Sequence, residues 1–344
     1  MKMKKTLFKK TSFCLCLIFI IISSQYLYGE GWWHLYFTSP GHESAKNINP
    51  EDALIGSISK ARKSFYGAFY DITSKPVIKE LINAHRNGID IKLVIEKDNL
   101  KKKETRELVN AGVPIVTDDR RALMHNKFAV IDGRIVWTGS YNLTYNDAHK
   151  NNNNAIVIES EDVADMYMAE FKEMFDYKIF GNKKEYRIFP SINKKKYFAK
   201  IGDTDINVYF SPDDNIERII LERLKKAKKS VYFLAFSFTS NRLGEEMVTL
   251  RKKGIAVYGV IEKIGSDTKE SEYVKLKLEG VQAKLDKNRN RMHHKVIIID
   301  ESLVITGSYN FSKNANEKND ENIIILNNRD IAGLYIDEFK RLYN

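Results

Sequence analysis

The chain has 344 residues, 43% hydrophobic content and a formal net charge of +11, enough apolar material for one large core or two modest ones. The basic excess favours anionic partners, phospholipid headgroups or nucleic acid, without choosing between them. Both cysteines, Cys14 and Cys16, lie in an N-terminal apolar run. The body therefore has no disulfide framework, no thiolate metal site and no cysteine nucleophile.

Five lysines (Lys2, Lys4, Lys5, Lys9, Lys10) precede the apolar run FCLCLIFIII at residues 13–22. A basic start ahead of a run this short reads as a secretory signal, since a membrane span needs about 20 apolar residues. An uncleaved anchor extending to Tyr28 is the alternative. Residues 1–29 are thus expected to export the chain, leaving it periplasmic, secreted or anchored to the membrane. Without this segment, which holds five lysines and no acid, the net charge falls from +11 to +6. Trp32, Trp33, Tyr36 and Phe37 follow, suited either to a membrane interface or to the core of a first strand.

Beyond this point the chain repeats itself. Residues 58–96 run parallel to 224–262 at a constant offset of 166, pairing Ser64 with Ser230, Gly88 with Gly254 and Glu96 with Glu262. In each half the pattern predicts, in order, a basic amphipathic helix (52–63; 217–229), a strand (64–71; 230–238) and a second helix ending at Gly88 or Gly254. A β-rich run follows (89–95; 255–261). Two strands joined by a tight acidic turn come next (127–131 to 135–139; 295–299 to 303–307). A final helix closes each half (162–175; 330–342). Alternation of strands and helices predicts an α/β layered fold in two halves, 30–177 and 207–344. The lysine-rich, aperiodic stretch 178–206 reads as the crossover between them.

The strand pairs carry the chemistry. Residues 125–142 read HNKFAVIDGRIVWTGSYN and residues 293–310 read HHKVIIIDESLVITGSYN. Each fits His-x-Lys, four residues, Asp, six residues, Gly-Ser-x-Asn. The first set is His125, Lys127, Asp132, Gly139, Ser140 and Asn142; the second is His293, Lys295, Asp300, Gly307, Ser308 and Asn310. Alternate residues of a strand share a face, so each histidine projects beside its lysine. An imidazole beside an ammonium suits attack on an anion whose charge the ammonium neutralises. Two lysines with Ser140, Asn142, Ser308 and Asn310 would clamp a phosphodiester. Histidines on opposite sides of phosphorus would supply a nucleophile and an acid. His34, His42, His85 and His149 have no repeat partner and read as non-catalytic, and His294 should point to the opposite strand face. No metal-ligand cluster stands out, so no cofactor is expected.

The paired motifs resemble the phospholipase D superfamily, whose mark is HxKx4Dx6GSxN, over about residues 34–344. The wording LMHNKFAVIDG and RMHHKVIIID, each followed by GSYN, is similar to the bacterial endonuclease and mitochondrial cardiolipin-hydrolase branch. The tandem copy resembles the two-motif phospholipases. The resemblance implies a sandwich-like α/β pseudo-dimer, monomeric as a chain, with the site between the halves. It implies metal-independent catalysis through a phosphohistidine, with His125 as nucleophile and His293 as acid and then base. It also implies that Asp132 and Asp300, counted here with the catalytic set, are orienting partners. The family places a Glu after each GSxN to hydrogen-bond a motif histidine. Here the second copy has Glu321 but the first has Asn153, so the half-sites are not equivalent. A phospholipase D hydrolysing headgroups to phosphatidic acid at a membrane surface is the leading expectation. A nuclease of DNA or RNA and a non-enzymatic anion-binding surface protein are the alternatives.

Overall fold

A computed structural model describes residues 31–40, 48–181 and 197–344. The first half builds a seven-stranded sheet. Its strands are β1 (Trp33–Phe37), β2 (Ser64–Phe69), β3 (Asp90–Ile95), β4 (Ile115–Thr117), β5 (Lys127–Ile131), β6 (Ile135–Gly139) and β7 (Asn154–Glu159), in the order β1-β7-β6-β5-β2-β3-β4. The second half builds an eight-stranded sheet from β8 (Phe198–Ile201), β9 (Thr204–Ser211), β10 (Ser230–Ala235), β11 (Ala256–Ile261), β12 (Gln282–Leu285), β13 (Lys295–Ile299), β14 (Leu303–Gly307) and β15 (Glu321–Asn327). Its order is β12-β11-β10-β13-β14-β15-β9-β8, the first sheet's order with β9 in place of β1 and one added edge strand. The stretch expected as an aperiodic crossover thus contains β8 and the start of β9, a hairpin of the second sheet. Its lysines and acids hide a period-2 pattern in which Ala199, Ile206, Val208 and Phe210 are buried.

Period-2 side-chain alternation divides each sheet between two cores. Phe128 and Val130 face a shared central core with Val296 and Ile298, while Ala129 and Ile131 face an outer core of the first half and Ile297 and Ile299 one of the second. The outer cores lie under α1 (Pro50–Ser59) and α2 (Lys75–Arg86) in one half, and under α7 (Ile216–Leu224) and α8 (Asn241–Lys252) in the other. The final helices, α6 (Glu161–Phe175) and α11 (Arg329–Tyr343), contribute to the central core. Each reaches across to the other half: Tyr167 of α6 meets Phe210 of β9 edge-on at 5.4 Å, and Tyr335 of α11 meets Phe37 of β1 at 5.3 Å. The early aromatics therefore form a core strand: Trp33 is buried and Trp32 and Phe37 pack against the same cluster. The apolar run 13–22 lies outside the described residues. Among the described residues no helix is long and apolar enough to cross a membrane.

Two backbone devices set the motif strands. The tight turns place both central residues at positive φ, Asp132 and Gly133 at 53° and 70°, Asp300 and Glu301 at 50° and 55°, a conformation whose twist matches that of the flanking antiparallel strands. At the other end Gly139 and Gly307 take φ of 152° and 146°, and a Cβ on either would lie 2.3 Å from the carbonyl oxygen of Asn154 or Asn322. Only glycine lets β6 and β14 pass this close to the next strand. Gly139→Ala and Gly307→Ala are each expected to cost about 2–4 kcal/mol in urea unfolding, whereas Gly133→Ala, in open space, should cost only about 1 kcal/mol. Equal losses at all three positions would contradict this packing.

Candidate active site

The approach to each motif strand is pinned by the other half. The His125 N–H donates to the Asp320 carbonyl at 2.9 Å, and the Asp320 N–H donates to the Leu123 carbonyl at 2.9 Å. In mirror fashion the His293 N–H donates to the Asn152 carbonyl and the Asn152 N–H to the Arg291 carbonyl, both at 2.8 Å. The residue after each bridge then meets the opposite histidine. Glu321 Oε2 lies 2.7 Å from His125 Nδ1, and Asn153 Oδ1 lies 3.0 Å from His293 Nδ1. Beneath the bridges lies a second crossed set. Thr138 Oγ1 donates to Asn322 Oδ1 at 2.8 Å, and Thr306 Oγ1 donates to Asn154 Oδ1 at 3.0 Å. Neither half holds a complete site by itself.

These contacts set the chemistry of each imidazole. A carboxylate accepts only, so His125 carries its proton on Nδ1 and leaves Nε2 with a lone pair. Burial depresses the His125 pKa, and Glu321 opposes that by stabilising the imidazolium. His293 has no such anion in hydrogen-bond contact. Its Nδ1–H donates to Asn153 Oδ1 and the Ser140 carbonyl, and its pKa falls well below the usual value through burial and repulsion by Lys295, Lys127 and His125.

The lysines are buried and close enough to repel. Lys127 and Lys295 are 0% and 2% exposed. Each Nζ donates to the carbonyl of its own motif histidine at 2.7 Å. Burial brings the Lys127 pKa down to about 8, against the pull of Glu321, Asp147 and Asp71. Burial and then Lys127 push Lys295 well below its usual value. Two buried ammonium groups beside two imidazoles form an anion trap whose own repulsion a phosphate would relieve. Aromatic rings wall the trap. Tyr70 meets His125 at 4.9 Å and Phe236 meets His293 at 4.5 Å, both edge-on, and the same rings lie under Lys127 and Lys295 at 5.2 and 4.7 Å. These rings sit just past β2 and β10, at the 166-residue offset, and that offset is the signal by which the sequence could have marked them.

The family described as "Cardiolipin synthase, PLD-like domain" matches residues 54–175 and again residues 220–343. The chain belongs to the phospholipase D superfamily. A phospholipase D of Rickettsia typhi is 28% identical over 164 residues, covering 44% of this chain and 80% of that protein. The mitochondrial cardiolipin hydrolase of Mus musculus is 30% identical over 124 residues, covering 36% and 56%. The crystal structure of phosphatidylserine synthase from Haemophilus influenzae shares the fold, with a TM-score of 0.66 and 12% identity over 85% of this chain and 83% of that one. At family level the chain is a phospholipase D-type phosphodiesterase.

In this phospholipase D-like site the structure brings together His125, His293, Lys127, Lys295, Asn142 and Glu321, but not the motif aspartates. Asp132 and Asp300 stand just past the far ends of β5 and β13, five residues and roughly 17 Å along the strand from the motif lysines. The Asp132 carboxylate accepts from the backbone N–H groups of Arg62, Lys63 and Ser64, and Asp300 from those of Lys228, Lys229 and Ser230. Partial burial raises these carboxyls, but the amides outweigh it and hold both below the usual range. Counting them as catalytic is corrected here: they lock the start of β2 and β10 to the hairpin turn.

The serines also depart from expectation. Ser140 Oγ donates to Asn153 Oδ1 at 3.0 Å and Ser308 Oγ donates to Glu321 Oε2 at 2.7 Å. Their hydroxyl protons are committed to the groups that hold the histidines, so they orient those groups and do not donate to phosphate. Asn142 gives one amide hydrogen to Asp147 Oδ2 at 2.7 Å. Its oxygen and that of Asn310 are buried without a partner, so these amides retain unmet hydrogen-bonding capacity. His294 is fully buried and bridges Asn154 and Glu338 at 2.9 and 3.0 Å. Among the described residues one trio with metal-compatible spacing occurs, Glu170, Glu173 and Asp213. It lies on α6 and after β9, not among the motif side chains, and each member has other polar interactions.

Two outcomes are expected. With bis(4-nitrophenyl) phosphate, kcat/KM should fall on the alkaline side with a midpoint near pH 8, as Lys127 loses its proton and the trap loses positive charge. A flat profile to pH 9.5 would contradict this. Glu321→Gln should lower turnover by about 10²-fold or more, with the fold intact by circular dichroism.

Proposed function

We propose that this protein hydrolyses phospholipid headgroup esters to phosphatidic acid through a phosphohistidine on His125. The observation that carries the reading is the contact between His125 and Glu321, which leaves the Nε2 lone pair free and gives the charge of a phosphorylated or protonated imidazole a buried counterpart. His125 Nε2 attacks phosphorus as the bond to the headgroup oxygen breaks. His293 Nε2–H protonates that oxygen, aided by the negative charge that substrate brings beside it. His293 then takes a proton from water, which attacks phosphorus and breaks the P–N bond. Lys127 and Lys295 neutralise the non-bridging oxygens throughout, and the amides of Asn142 and Asn310 flank them. Neither step calls on a metal.

Several features support a lipid substrate. The relatives named above are a phospholipase D and a cardiolipin hydrolase. Ile264, Val274 and Leu278 are 57%, 52% and 83% exposed, beside Lys263, Lys275 and Lys277, a combination suited to an anionic bilayer surface. The apolar run at 13–22 would export the chain and hold it near membrane until cleaved. A nuclease is the second reading. One cavity favours it, of about 690 Å³, lined in part by Arg121 and Lys318 and by no acidic residue. A backbone of phosphates could follow such charges. The intact motifs argue against a purely anion-binding role.

The test is a side-by-side assay of the full chain, in mixed micelles with chelator, on phosphatidylcholine, cardiolipin, single-stranded DNA and RNA. Phosphatidic acid release at least tenfold faster than nucleic-acid cleavage is expected, from a species that sediments as a monomer. Cleavage of DNA or RNA alone would move the substrate to the second reading. Loss of activity in chelator, restored by one divalent ion, would defeat the metal-free mechanism.

A further inference from the structure

Charge is distributed differently around the two histidines, although the backbones match at an offset of 168. Beside His125 stand Glu321, Asp320 and Arg120, with Arg120 paired to Asp320 across the halves. The equivalent positions beside His293 are Asn153, Asn152 and Asn288, and there Asn288 Nδ2 donates to Asn152 Oδ1 at 2.7 Å. Every charge of the first set has become an amide. One further position changes in the opposite sense: Asp147 in the first half corresponds to Ala315 in the second. Counting these four positions, each histidine has a net charge of −1 beside it.

Asp147 is buried, with Oδ2 3.8 Å from His293 Nδ1. It lies on the short helix α5 (Tyr145–His149), whose counterpart is α10 (Lys313–Glu317). Both helices are capped alike, Thr144 accepting from the Asp147 N–H and Ser312 from the Ala315 N–H. The turn therefore forms with alanine, and folding of the loop does not explain the carboxylate. A neighbouring amide shows what does. Asn319 Nδ2 donates to Glu321 Oε1 at 3.3 Å, whereas its equivalent, Asn151, donates to Asp147 Oδ1. The same asparagine holds the local carboxylate in each half, but the carboxylate comes from a strand in one and from a helix in the other. Asp147 also accepts from the Asn142 backbone and side-chain N–H groups, which fixes its Oδ2 against the histidine.

We infer that Asp147 is the positioning carboxylate of the His293 half-site, taking from α5 the part that Glu321 plays for His125 from β15. Its place is one layer back: Asn153 contacts the imidazole, and Asp147 supplies the negative charge behind it. His293 is thereby held by an amide, so it gives up its proton to a leaving oxygen more readily than a carboxylate-bonded imidazole would, while the nearby charge still supports the protonated form against Lys127, Lys295 and His125. The inference rests on the reading of His293 as acid and base.

The test compares the full-length wild type with D147N, D147A and D147A/N153E, the last rebuilding the second half's arrangement in the first. Two readouts are taken: the titration of the His293 ring nitrogens by NMR in saturating inorganic phosphate, and kcat and KM on bis(4-nitrophenyl) phosphate. In D147N and D147A the His293 midpoint should fall by about one pH unit, the loss expected when an opposite charge at this range is removed. A nitrophenolate leaves without an acid, so kcat on this diester reads His293 as the base of the hydrolysis step, and the weakened base should lower kcat by up to about tenfold with KM within about twofold. D147A/N153E, with a carboxylate in direct contact, should return the His293 midpoint to the wild-type value or above it and raise kcat above that of D147A. An unshifted His293 titration in D147N, or a double variant as impaired as D147A, would overturn the inference. Failure of all three to fold would also overturn it, by making Asp147 a structural staple. A wild type inactive on the diester would sink the catalytic reading, yet the titration would still report on Asp147.

Discussion

Everything at the centre of this molecule depends on two backbone bridges that cross between its halves, Met124 to Asp320 and Asn152 to Met292. Each bridge joins the segment entering one half's motif strand to the segment entering the other half's last strand. Because strand residues alternate in direction, the residue after the bridge is delivered to the opposite histidine. Glu321 reaches His125 in this way and Asn153 reaches His293. The interlock is why the two sheets share one central core.

The burial that this interlock creates explains the electrostatics. Water is excluded from two lysines and two histidines whose charges repel one another, and burial is the largest cause of depression for all four. A cation cluster of that kind is costly without an anion. The protein meets part of the cost with buried carboxylates and leaves the remainder to substrate. In the proposed mechanism binding and chemistry are thus coupled: the same phosphate that quiets the lysines would restore the protonation that His293 needs as an acid.

Much of the fold was legible in the sequence, and for a definite reason. The hairpins β5–β6 and β13–β14 are apolar on both faces and bounded by motif residues, so their ends match the expected 127–131, 135–139, 295–299 and 303–307. The helices were recognisable from glycine stops at 88 and 254 and from amphipathic spacing. Strand β8 was hidden because it is a four-residue edge strand with only Ala199 buried, beside the lysine run 194–196. The aspartates 132 and 300 could be turn formers or catalytic groups from spacing alone, and only the amides of residues 62–64 and 228–230 separate the two. The crossed pairing was not legible, because a repeat offset shows which residues are equivalent but not which half's residue faces which histidine. Asp147 was invisible for the same reason. It aligns with Ala315, and its relation to His293 exists only across the interface.

The central claim is that the carboxylate of the second half selects the histidine of the first as the nucleophile. The most direct measurement is acid-quench trapping of the enzyme during turnover of a labelled phosphodiester, followed by peptide mapping of the acid-labile label. The account predicts label on His125, retained in His293→Asn with a nitrophenyl leaving group and absent in His125→Asn. Label on His293, or steady turnover with no label on either histidine, would contradict it.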